Sequence, residues 1–347
     1  MNAVARREVD ETDHSQLLRE LHLDLEEKGF FAPSWLWSWK LLFWIPTLGC
    51  AYLALILAPR FSAAWWVLLP IAAMAMLTMG FVGHDAGHGA LSRRAWVNEL
   101  WGQIGMSALC GMSFGYWRPR HNQHHVHCQE QESDPDMHFG VLFSVYPGSD
   151  SWHSRLGRFF LRIQKWAFWP LASFYWVALR YDGLRDLFQQ PKVTRIDRFF
   201  IPLHYLLLIV LPGLFLGWAP TLIAYLAVSC LSSLATASVF IPNHIGMRRL
   251  VPGQQLSYLE QQVTTSRNIT NPRLFDFYFG GLNSQIEHHL FPRVAHYRLR
   301  DMRPAVRAFC ERHDLGYAEA SFLAALGRVG GHLGEMTEEF KLSNKAA

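Results

Sequence analysis

Four long stretches of this chain carry almost no charge, and they come in two pairs. Trp35 to Ala58 holds only Lys40, near its start, where a long side chain can snorkel to the interface. Ala63 to Val82, Phe199 to Trp218 and Ala219 to Ile241 hold no charged residue at all. A bilayer core needs about 20 apolar residues of helix, so each stretch predicts a membrane crossing. The connections within the pairs are short, Pro59 to Ser62 in one and Gly217 to Pro220 in the other. The pattern therefore predicts two transmembrane hairpins, with crossings at about 35–58, 63–83, 199–218 and 219–241.

Between and around the hairpins the pattern turns amphipathic. Leu18, Leu21 and Leu25 recur at helical spacing up to Gly29, and Asp13 with Gln16 has the form of a helix cap. Leu100 to Trp117 is moderately apolar but rich in glycine and serine, and Phe159 to Leu179 is aromatic and interrupted by Arg162, Lys165 and Pro170. Both read as helices lying in the headgroup plane. The polar, acidic first thirty residues have no apolar core, so no cleavable signal peptide is expected.

Composition supports the membrane reading. Half of the 347 residues are hydrophobic, and 14 tryptophans suit a chain with two membrane–water interfaces. Basic residues set the orientation. The loop between the hairpins holds thirteen, from Arg93 and Arg94 through Lys192 to Arg198, whereas the short outer turns offer only Arg60. The N-terminus, the middle loop and the C-terminal third are thus expected in the cytoplasm. The five cysteines form no CxxC pair and are expected as free thiols. Nothing in the chain calls for a nucleic acid partner.

Seven histidines fall in three tight clusters, all on that one side: His84 with His88, His121 with His124 and His125, and His288 with His289. Residues four apart share a helix face, so His84 with His88, and His121 with His125, can aim two rings at one metal or at an adjacent pair. The adjacent His124 and His125, and likewise His288 and His289, diverge enough to serve two metals. His244, next to Asn243 just past the fourth crossing, is a candidate eighth imidazole. Gln285 stands where a further histidine would complete the third cluster. His14, His22, His153, His313 and His332 read as ordinary surface or core residues, and His127 and His138 neighbour the second cluster without sharing its register.

Seven or eight imidazoles exceed one tetrahedral zinc centre. Soluble carboxylate di-iron proteins use paired Glu-x-x-His motifs, and here the single such motif, Glu11 to His14, lies in the polar N-terminal segment. The residues point to a histidine-rich dinuclear site, with iron the best fit. Haem stays open as the other option, its one intramembrane candidate ligand being His204.

At this point the chain resembles the membrane fatty acid desaturase family. The matching pieces are His84-Asp-Ala-Gly-His88, His121-Asn-Gln-His-His125 followed by Asp134-Pro135-Asp136, and Gln285-Ile-Glu-His-His289 within Gly280 to Pro292. The glutamine at the head of the third box, and the Thr265-Ser266-Arg267-Asn268 stretch before it, are similar to the front-end branch. That branch inserts a double bond between an existing one and the carboxyl end. The resemblance spans about Gly29 to Tyr317 and implies an all-α membrane protein: four transmembrane helices in two hairpins under a cytosolic helical cap that holds a di-iron site.

Carried over residue by residue, it implies two iron ions ligated by His84, His88, His121, His124, His125, His244, His288 and His289. Gln285 and Asn243 are candidates to bind metal directly or through water, and Asp85 and Glu287 to hold ligating imidazoles. The implied organisation is a cytosolic segment at 1–34, the desaturase domain at 35–317 with its cap at 84–198 and 242–317, and a tail at 318–347. A fused cytochrome b5 domain is not expected, so a separate ferredoxin or cytochrome b5 is the implied electron donor. The implied substrate is a long acyl chain on lipid or coenzyme A, and the implied location a bacterial inner membrane. A di-iron hydroxylase or carotenoid oxygenase, a haem electron carrier, and a metal-binding membrane protein without catalysis are the alternatives.

Overall fold

The computed structural model describes residues 11–31, 36–189 and 195–346. Trp35, from which the first crossing was counted, Lys192 and the first ten residues lie outside the described residues. The described chain is mainly helical. Helix α1 (Glu11–Glu27) precedes the first hairpin, α2 (Leu36–Leu57) and α3 (Ala63–Gly87). The middle of the chain forms α4 (Ala95–Gly102), α5 (Phe114–Val126), α6 (Arg155–Ala172) and α7 (Tyr175–Gln189). The second hairpin joins α8 (Asp197–Tyr205) and α9 (Leu211–Leu216) to α10 (Trp218–His244). A π-helical turn at Leu206–Val210 carries α8 into α9 just before Pro212, whose missing N–H a regular ladder could not use.

Beyond α10 come α11 (Tyr258–Thr264), α12 (Asp276–Phe279), α13 (Gln285–Leu290), α14 (His296–Arg312) and α15 (Phe322–Ala346). Two three-residue strands, β1 (Asn268–Thr270) and β2 (Glu319–Ser321), pair in parallel.

Four helical runs are long and apolar enough to cross a membrane: Lys40–Leu57, Ala63–Gly87, Asp197–Leu216 and Trp218–His244. The protein is a membrane protein. Its crossings expose Leu42, Phe43, Trp66, Val67, Phe215 and Leu226, side chains that a lipid environment accepts and water does not. Inside the bundle, small residues such as Ala72, Ala73 and Ala75 let backbones approach. Ser232 Oγ donates to Ala73 O at 3.1 Å and Tyr52 OH to Leu208 O at 2.7 Å, tying one hairpin to the other.

Four sequence expectations are refined. The second and fourth crossings run past residues 83 and 241, to Gly87 and His244, so their last turns themselves carry histidines. Asp13, read as the cap of α1, already lies within the helix. The segment after Leu100 is not a loose surface helix. Its π-helical turn Gln103–Leu109 is buried between the second and third crossings, where a Cβ on Gly105 would lie 2.6 Å from Met79 O. Its glycines and serines serve close packing, which lowered its apparent hydrophobicity. Phe159 to Leu179 divides into α6 and α7. Helix α6 does have two faces, Leu161 and Phe168 buried and Phe159, Ile163 and Trp166 exposed.

Candidate metal centre

Each histidine cluster is placed by a different device. His84 lies in the last turn of α3 and His88 caps it, one helical turn further on. Helix α5 starts at a cap in which Ser113 Oγ accepts from Tyr116 N, and a buried carboxylate, Asp197, takes the N–H groups of Phe114 and Gly115. That fixes the helix on which His121, His124 and His125 recur. The short α13 follows a tight turn at Gly280 and Gly281, both with positive φ. A Cβ on Gly281 would lie 2.2 Å from His296 O, so no other residue fits there.

These elements bring all eight imidazoles together in two adjoining groups. In one, His84, His88, His121 and His288 offer ligand atoms within 4.8 Å of one another; in the other, His124, His244 and His289 do so, joined by Cys128. His125 stands between, its ring centroid 4.6 Å from His88 and 4.3 Å from His289. Seven of the eight are buried, and only His88 is partly exposed.

Hydrogen bonds behind the rings settle which nitrogen faces inward. His124 Nδ1 lies 2.9 Å from Asp134, His289 Nδ1 donates to Gln262 Oε1 at 2.8 Å, and His244 Nδ1 to Thr265 O at 3.2 Å. Each outward bond leaves Nε2 pointing into the cluster, as a ligating histidine requires. The Nε2 atoms of His88, His288 and His289 are buried without any partner, and His121 Nε2 lies 3.0 Å from His84 Nε2. Lone pairs converging in this way repel unless a cation sits among them. The residues therefore fit a metal pair.

Electrostatics agree for most of these rings. Burial, then the neighbouring imidazoles, hold His88, His121, His125, His288 and His289 far below the usual histidine range, keeping them neutral and able to ligate. Burial also opposes charge on His124, but Asp134 outweighs it and lifts that ring to about 9. Asp134 is itself wholly buried and accepts from Gln129 N at 2.8 Å. Replacing it by asparagine should weaken metal binding by roughly 10–100-fold, measured by titration against a chelator. Unchanged affinity would show that Asp134 serves only its turn.

The remaining candidates are placed less directly. Asn243 Nδ2 donates to Val239 O, Leu282 O and Gln285 Oε1 at 2.9, 3.2 and 3.1 Å, which turns Gln285 Nε2 towards His244 Nε2 at 3.1 Å. Asp85 is buried and lies 3.7 Å from His84 Nδ1, but its close partner is His296 Nδ1 at 2.6 Å. Glu287, also buried, accepts from Tyr317 OH and Asn268 Nδ2 at 2.6 and 2.8 Å, anchoring α13. Cys128 approaches His244 from the Nδ1 side at 3.6 Å, behind the ring. His204 gives both nitrogens to protein partners, Ala108 O at 3.0 Å and Tyr225 OH at 2.8 Å, which leaves none for a haem.

Two openings reach the cluster. A cavity walled by Leu77, Met106, Met112 and Leu179 at one end passes His84, His121, His124 and His244 and ends at His138, Arg249 and His332. A separate cleft has His88 at its wall with Arg93, Arg118, Arg293 and Arg298. Among the other histidines, His14 bonds Ser257 Oγ at 2.5 Å, His127 contacts Glu130 at 2.8 Å and His22 stacks on Phe31.

Known proteins bear on this arrangement. Residues 61–321 match the sequence profile of fatty acid desaturases. The chain is 31% identical over 268 residues to an acyl-lipid (9-3)-desaturase of Borago officinalis, covering 71% of this chain and 58% of that protein. It is 27% identical to a delta(8)-fatty-acid desaturase of Helianthus annuus, covering 76% and 61%, and 24% identical to a delta 8-(E)-sphingolipid desaturase of Komagataella phaffii, covering 94% and 63%. It spans about three fifths of the length of these curated relatives. With the three histidine clusters inside the matched region, the chain belongs to the fatty acid desaturase family.

Proposed function

We propose that this chain is an oxygen-dependent fatty acyl desaturase of the front-end type. It would make a cis double bond in a long acyl chain carried on lipid or coenzyme A. The observation that supports this best is the apolar cavity that passes both histidine groups, because an unactivated methylene pair must lie beside the metals to react. The overall balance is one acyl CH2–CH2, one O2, two electrons and two protons giving CH=CH and two waters.

His84, His88, His121 and His288 would hold one iron ion, and His124, His244 and His289 the other, with His125 between. Bound iron would supply dioxygen reduction and one-electron chemistry that no side chain offers. The chain itself contributes orientation. Asp134, Gln262 and Thr265 O keep three imidazoles turned inward. Leu77, Met106 and Met112 keep water from the reacting segment.

A ferredoxin or cytochrome b5 is the proposed electron donor. The cleft at His88 supports an approach on that side, because its arginines suit an acidic carrier. Both termini are assigned to the cytoplasm of a bacterial inner membrane, on the asymmetry of basic residues. The domain is assigned to 35–317, with its cap at 84–198 and 242–317. The stretch 318–347 adds α15, whose Val329, Leu333 and Phe340 are buried.

Expression in a host fed defined fatty acids tests the proposal. Products lighter by two hydrogens, with the new bond on the carboxyl side of an existing one, are expected. Products heavier by one oxygen would replace this reading with the hydroxylase or oxygenase one.

A further inference from the structure

The cavity that passes the metal centre changes character at its outer end. Arg249 and His332 converge there on one carbonyl: Arg249 Nη1 lies 3.4 Å and His332 Nε2 2.8 Å from Val145 O. The arginine contact is long, so the guanidinium has bonding capacity to spare. Gly246 forms part of the same wall. A Cβ there would lie 3.8 Å from Arg267 Nη2, 3.8 Å from His332 Cβ and 3.7 Å from Arg328 O, so the Arg267 guanidinium and the Arg328 backbone lie behind this wall.

Arg267 is wholly buried, and its Nε has no partner. Its Nη1 donates to Pro242 O at 3.0 Å and its Nη2 to Met247 Sδ at 3.1 Å. The carbonyls at the end of α10 offset part of its charge, and no carboxylate offsets the rest. Burial and then the Arg328 charge lower it to about 10. Among the described residues, neither Arg249, Arg267 nor Arg328 pairs with a carboxylate. The nearby acids are otherwise placed: Asp136 faces Arg120 at 3.4 Å, and Glu335, 74% exposed, stands 3.9 Å from His332 Nδ1. Cations gathered at a partly dry site without a counterion are unfavourable until an anion joins them.

We propose that this end of the cavity is a phosphate subsite. It takes the phosphate nearest the carboxyl end of the acyl substrate, held by the Arg249 guanidinium, which His332 flanks. The inference rests on the desaturase reading and deepens it. A guanidinium fork matches phosphate oxygens bidentately, and both a glycerophospholipid and coenzyme A carry such a group. The acyl chain then lies carboxyl end outward, with its methyl end towards Leu77 and Met112. Gly246 is only two residues beyond His244, so the subsite abuts the metal centre. A double bond close to the carboxyl end follows from that spacing.

Binding to purified, metal-free full-length protein tests this, with three probes that share one acyl chain: oleoyl lysophosphatidylglycerol, oleoyl coenzyme A and monooleoylglycerol. At least one phosphate probe should bind about tenfold tighter than the neutral one, the size of a charge-assisted hydrogen bond. Arg249→Gln with His332→Gln should remove that preference while binding monooleoylglycerol as before, which also reports an intact fold, and Arg249→Lys should keep part of it. The probe that loses more on substitution identifies the source of the phosphate. Equal affinity for all three in the unaltered protein, or equal weakening of the neutral probe, would overturn the subsite. Because no turnover is needed, that failure would leave double-bond formation as a separate question.

Discussion

Replacing His289 by alanine should give a folded protein that binds one iron where the unaltered chain is proposed to bind two, and that forms no double bond. His289 is wholly buried, its Nε2 points into the second group without a partner, and Gln262 holds its other nitrogen. Only His124 and His244 would then remain as imidazoles of that group, with Cys128 behind His244. Two imidazoles are a poor substitute for three at such a centre. The first group keeps His84, His88, His121 and His288 and should retain its ion. Iron analysis beside circular dichroism separates this from unfolding. Two irons with undiminished product would sink the proposed ligand set.

The largest loss of stability is expected at a residue with no contact to the metals. Asp197, at the start of the third crossing, is wholly buried and accepts four hydrogen bonds. Ser107 Oγ and Ser113 Oγ donate at 2.6 and 3.0 Å, and Phe114 N and Gly115 N at 3.1 and 2.9 Å. Alanine would strand these donors in a low-dielectric setting. Each stranded donor costs about 1–3 kcal/mol, and partial rescue by Ser107 Oγ leaves an expected total of about 4 kcal/mol. Asparagine, which still accepts, should recover about half. Thermal unfolding in detergent reads both values. An unchanged midpoint for the alanine variant would mean that the start of α5 is held by something else.

The hairpins and the histidine convergence were legible because each depends on a local pattern. A crossing is a length of apolar chain, and a ligand pair is a spacing on one helix. What escaped depends on distant contacts. Asp134 sits in a turn, accepting from Asp136 N, yet the same carboxylate holds His124. Gln262 is a polar residue in a short helix, and only the fold brings it to His289. Glu287 stood beside ligands in sequence but takes Tyr317 and Asn268 as partners, and Asp85 divides its carboxylate between His296 and the more distant His84. The segment after Leu100 looked like a surface helix because glycine and serine score as polar, whereas here they admit a neighbouring backbone.

The two openings to the histidine cluster share no wall residue: the cavity passes His84, His121, His124 and His244, and the arginine-bearing cleft reaches His88. A reducing partner seated over the cleft would therefore not compete for space with an acyl chain occupying the cavity. In the proposed reaction, delivery of electrons and arrival of substrate would then be independent in order, and saturating one should leave the apparent affinity for the other unchanged. Such a catalyst need not release its greasy cargo between the first electron and the second.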